Sequence, residues 1–104
     1  MRIIALSGLG KSTDPRRVEA ISSLVQDTNE RVQLTSIRLL GDTKDQRAVE
    51  AVGSGLASES INVRKAAILA LLKLTGPAAT KTLKQHRQQE KDAALLKLID
   101  TKLK

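Results

Sequence analysis

A stretch of 13 residues near the start of the chain comes back twice. "LGKSTDPRRVEAI" begins at Leu9, "LGDTKDQRAVEAV" at Leu40 and "LLKLTGPAATKTL" at Leu71, so the offset is 31 residues each time (40 − 9 = 71 − 40 = 31). The other half of the unit recurs as well. "ERVQLTSIRLLG" from Glu30 aligns with "INVRKAAILALL" from Ile61, pairing Val32 with Val63, Ile37 with Ile68 and Leu40 with Leu71. A fixed period of this length marks an array in which each unit buries its apolar face by stacking on its neighbours.

The spacing inside the unit is helical. Val18, Ile21, Leu24 and Val25 recur at spacings of three, four and seven along one helix face, as do Val63, Ala66, Ala67, Ala70, Leu71 and Leu74. "RKAAILALLKL" is almost wholly strong helix formers, and no segment alternates as a strand does. Each unit therefore reads as two helices, with spans expected at 2–10, 14–26, 29–41, 45–57, 60–74, 77–88 and 90–103. Asp14-Pro15 reads as an N-cap followed by Pro at the first helical position, Asp45 as the cap of the second unit, and Gly76-Pro77 as the third start.

Gly10 and Gly41 occupy equivalent places between one helical pattern and the next, where a left-handed glycine closes a helix. That reading competes with a phosphate loop at Gly10-Lys11-Ser12. Such a loop requires Gly-x-x-x-x-Gly-Lys-Ser/Thr, and its first glycine would fall on Ala5. No nucleotide binding is expected there, and Lys11 becomes an interhelix loop residue.

Composition limits the remaining chemistry. With no Phe, Tyr or Trp, the core has to come from Ala, Val, Ile and Leu, and no aromatic platform exists for stacking single-stranded bases. With no Cys there is no disulfide and no thiolate metal site. No apolar run approaches the ~20 residues of a membrane-spanning helix, and "MRIIAL" is too short for a signal-peptide core, so a cytoplasmic location is expected. His86, the single histidine, lies in the polar run "KQHRQQEKD" and is expected to be solvated. No His, Asp or Glu set has metal-ligand spacing and no carboxylate dyad is evident, so neither an enzyme activity, a cofactor, a metal nor a small-molecule substrate is expected.

Helix pairs at this period carry Leu40-Gly41, then Asp45-Gln46-Arg47-Ala48-Val49-Glu50, then Val63-Arg64-Lys65-Ala66-Ala67. The pattern resembles the HEAT-like repeats named after the phycobilisome bilin lyases, over about residues 2–80. The resemblance implies an all-α fold: a short right-handed α-solenoid of about seven helices forming one domain. Its units fall at 1–11 (a half repeat or N-terminal cap), 12–42, 43–75 and 76–104 (a divergent repeat or cap). Leu72 stands where the repeat has Gly, and Gln33 where it has Arg. Residues 2–10 match a second helix without its first. Of an N-terminal cap and a piece cut from a longer array, the apolar "IIAL" favours the piece. Bilin chemistry is not carried over, since nothing resembles a chromophore site.

In HEAT-like arrays the second helices line the concave face. The repeat aligns Ile3, Leu34 and Lys65 in one column, Ser7, Arg38 and Leu69 in another, and Arg31 with Asn62 in a third, with Asp42 and Lys73 extending the face. The expected partner-binding surface is Arg31, Leu34, Arg38, Asn62, Lys65, Leu69 and Lys73. Leucines mixed with cations suit another protein with an acidic or mixed apolar and acidic surface. The alternative partner is nucleic acid, as duplex DNA. The formal charge of +7 lies mostly in residues 51–104, with ten Lys/Arg against four Asp/Glu, while residues 1–50 have eight against seven. Candidate phosphate contacts are Arg31, Arg38, Lys65, Lys73, Lys81, Lys84, Arg87 and Lys91, interrupted by Leu34, Leu69 and Asp42. Arg64 is expected to serve the framework, bonding loop carbonyls or pairing with Glu59 or Asp45.

Overall fold

A computed structural model describes residues 15–103. They form three successive helix pairs. In the first pair, α1 (Pro15–Ser22) tightens into a 3-10 turn (Ser23–Gln26), and α2 (Glu30–Thr43) follows. In the second, 3-10 turns Gln46–Ala48 and Gly55–Ala57 flank α3 (Val49–Ser54), and α4 (Ile61–Leu74) follows. The third pair is α5 (Gly76–Arg87) and α6 (Ala93–Lys102). Among the described residues there is no strand, and the arrangement is an all-α solenoid. The expected helix over 2–10, the Gly10 turn and the Asp14 cap lie outside the described residues.

Each second helix opens on a polar cap that satisfies backbone N–H groups with no partner inside the helix. The Asn29 side-chain oxygen accepts from the N–H groups of Arg31 (2.9 Å) and Val32 (3.3 Å). Ser60, one period later, accepts from Val63 N–H at 3.3 Å, and Asp92 accepts from Leu95 N–H at 3.1 Å. Asp45 caps its unit as expected, accepting from Arg47 N–H at 2.9 Å, and its carboxylate also pairs with the Arg47 guanidinium at 2.7 Å. Pro77 sits in the first turn of α5, where its missing N–H costs nothing.

The core is aliphatic throughout. Ile21, Ile37, Leu40, Ile68, Leu71, Leu74, Leu83 and Ile99 are fully buried, each such side chain contributing about 1.5–3 kcal/mol. α2 packs along α4, and α4 in turn contacts α6, so the three second helices lie side by side.

Gly41 does not close a helix. It lies within the last turn of α2, and the left-handed residue after that helix is Lys44 (φ 56°). Its place is explained by proximity: a Cβ at Gly41 would stand 2.9 Å from the Ala70 Cβ and 3.0 Å from the Ala70 Cα of α4. The repeat glycine therefore admits a neighbouring backbone rather than a positive φ. The positive φ values of the next junction belong to Thr75 (53°) and Gly76 (85°). That junction is closed by the start of the same unit. The Gln46 amide donates to the carbonyls of Leu74 (2.7 Å) and Thr75 (3.2 Å), capping the C-terminal end of α4.

Candidate functional site

A groove of about 660 Å³ opens across the second helices. Leu34, Thr35 and Arg38 line it from α2, and Lys102 closes it from α6. From α4 come Ala66, Leu69, Ala70 and Lys73, at i, i+3, i+4 and i+7 on one face, together with Leu72. The floor is apolar. Leu34, Ala66 and Leu72 are half-buried against the core, while Leu69 projects from it with 40% of its surface exposed. The rim is cationic: Arg38, Lys73 and Lys102 line the groove and no Asp or Glu does. Lys73 Nζ lies 2.9 Å from the carboxylate of Asp42, its equivalent one repeat earlier (73 − 42 = 31), so the pair bridges α2 and α4. Among the described residues, neither Arg38 nor Lys102 forms an ion pair.

The model of the family described as HEAT repeats matches residues 18–99, which takes in all of α2 through α5 and most of α1 and α6. The chain belongs to the HEAT repeat family. HEAT repeats in general mediate contacts between proteins and are not catalytic. No curated protein matches the sequence. Within this HEAT array, no helix among the described residues is long and apolar enough to cross a membrane, and no three His, Asp or Glu side chains gather there as a metal site.

Of the seven surface residues expected from the repeat, Leu34, Arg38, Leu69 and Lys73 meet at the groove. Arg31, Asn62 and Lys65 are exposed on the same two helices but lie outside it. Arg31 and Asn62 sit in the first turns of α2 and α4, and Lys65 points about 100° round the helix from Ala66. Thr35, Ala66, Ala70, Leu72 and Lys102 complete the lining without having been anticipated there. Leu72 did carry a signal, as a large side chain where Gly41 stands one period earlier. Lys102 carried none, because α6 lies where the repeat pattern has faded.

The basic residues considered for nucleic acid do not share one face. Lys81, Lys84 and Arg87 belong to α5, a first helix, and Lys91 to the loop before α6. Arg87 is already paired with Asp100, and Lys73 with Asp42.

A buried polar cluster joins α4 to the α5–α6 connection. Glu90, with its side chain 1% exposed, accepts from His86 Nε2 at 2.7 Å and from Arg64 Nε at 3.1 Å on one oxygen. Its other oxygen accepts from the N–H groups of Lys91 (3.1 Å) and Asp92 (3.0 Å). Burial pushes this carboxyl up. The Asp92 N–H, His86 and the Arg64 guanidinium outweigh burial and hold the pKa down at about 2. Arg64 also donates to the carbonyls of Ser58 (2.9 Å) and Glu59 (3.1 Å), the framework bonds expected of it, but its carboxylate partner is Glu90 rather than Glu59 or Asp45.

His86 is the correction here. Its side chain is only 10% exposed and bonded to Glu90, one helical turn on, instead of standing in solvent. With both Glu90 oxygens doubly engaged, the cluster clamps α4 to the α5–α6 connection.

Proposed function

We propose that this HEAT array is a non-catalytic interaction module that docks another protein on the concave face made by α2, α4 and α6. The observation that carries the reading is Leu69, a large side chain held 40% exposed on an apolar floor, whereas the other leucines among the described residues are covered or half-covered. An apolar floor with an exposed side chain standing on it and a charged, solvent-accessible rim is the layout of a protein interface, where a few residues supply most of the binding energy. The 31-residue period with its Leu-Gly, Asp-x-x-x-Val-Glu and Val-Arg-x-x-Ala elements supports the phycobilisome-lyase type of repeat, with units at 12–42, 43–75 and 76–104. Duplex DNA is the less favoured partner, since two of its eight candidate contacts are already paired and three leucines occupy the groove.

The test is a selection of random 12-residue peptides displayed on phage against the purified chain, followed by affinity measurement on the recovered peptides. Docking at this face predicts that Leu69→Glu abolishes their binding while thermal unfolding is unchanged. Peptides that bind Leu69→Glu as well as the parent chain would contradict it.

A further inference from the structure

We infer that the occupant of the groove is an acidic amphipathic segment of another protein, with carboxylates flanking apolar side chains. This rests on the docking reading above and narrows it to a chemistry. The three rim cations come from three different helices, Arg38 from α2, Lys73 from α4 and Lys102 from α6, with no carboxylate among the lining residues. One anionic segment laid across the groove would meet a cation from each helix. Neighbouring helices stand about 8–10 Å apart, so a ligand crossing all three spans roughly 16–20 Å. A helix of about 12 residues has that length.

Two features set the composition of the segment. Leu34, Leu69 and Leu72 gain by meeting apolar side chains, whereas a wholly polar polyanion would cover them with groups that need water. The cations gain by meeting carboxylates beside that dry floor, where charge pairs are screened less than in bulk solvent. Lys73 is engaged with Asp42, but both side chains are about half exposed (54% and 50%). A pair this open adds little to stability, so exchanging Asp42 for an incoming carboxylate costs little. Arg38 and Lys102 have no ion pair to give up among the described residues.

The peptides recovered in the phage selection supply the probes. Their composition, their salt dependence and the effect of Arg38→Glu and Lys102→Glu are measured by fluorescence polarisation, with circular dichroism confirming that each variant folds. The inference predicts peptides rich in Asp or Glu beside Leu-like residues and affinity that falls as salt rises. It further predicts a loss of about tenfold for each charge reversal. Groove-bound peptides that are neutral or basic, lost on Leu69→Glu yet indifferent to Arg38→Glu and Lys102→Glu, would overturn the acidic occupant and leave the docking face standing. Binding indifferent to Leu69→Glu as well would overturn both. Competition for the selected peptides by a duplex DNA oligonucleotide at low micromolar concentration would also overturn the inference.

Discussion

Gly41 of α2 lies so close to Ala70 of α4 that a β-carbon on the glycine would meet the Ala70 Cβ at 2.9 Å. The obstacle is a methyl and a backbone carbon, neither of which can rotate aside. Gly41→Ala gains up to about 1 kcal/mol in helix propensity but forces two helices apart. Overpacking of this kind costs about 1–3 kcal/mol, so a net loss of about 1 kcal/mol is expected in urea unfolding, and a larger one for Ala70→Leu. Unchanged stability in both variants would show that α2 and α4 do not approach so closely.

Glu90 makes the fold acid-sensitive in a defined window. Its carboxyl is held at about 2 against an ordinary 4.5, so it contributes stability above pH 4.5 that is lost as the pH falls toward 2. The difference corresponds to about 3 kcal/mol. Glu90→Gln leaves Arg64 without its anion and should cost about 3 kcal/mol at neutral pH. The stability curves of the parent and the variant should then converge between pH 5 and 2. Parallel curves over that range would show that Glu90 is not held ionised by its partners.

The helix pairs were legible because one periodicity states them twice over, in apolar spacing and in recurring caps such as Asp45. The outward face of Leu69 and the buried face of Ala67 and Ala70 followed from the same spacing. Gly41 was misread because a helix-closing glycine and a close-packing glycine look alike at a helix end, and Ala70, which distinguishes them, is 29 residues away (70 − 41). His86 was misread for a related reason. Glu90 stands four residues on, but burial of the pair depends on Arg64 reaching across from α4, which a local polar run cannot reveal. Lys102 entered the groove through α6, beyond the reach of the repeat.

Links between helices differ in worth. The Gln46 amide bonds to Leu74 O at 2.7 Å at a helix end that has few other donors, and Gln46→Ala should cost about 1 kcal/mol. The Lys73–Asp42 pair is solvent-exposed, and Lys73→Ala should change stability by less than about 0.5 kcal/mol. Thermal denaturation of both variants checks the order, and a larger loss for Lys73→Ala would reverse it.

The central claim is that the face made by α2, α4 and α6 is the one that binds. It is tested most directly by amide chemical-shift mapping of the isotopically labelled chain as a selected peptide is titrated in. The account predicts shifts concentrated at Leu34, Arg38, Leu69, Lys73 and Lys102, with the opposite surface of α1 and α3, around Glu19, Arg47 and Glu50, unmoved. Shifts gathered on α1 and α3 with the groove silent would contradict it.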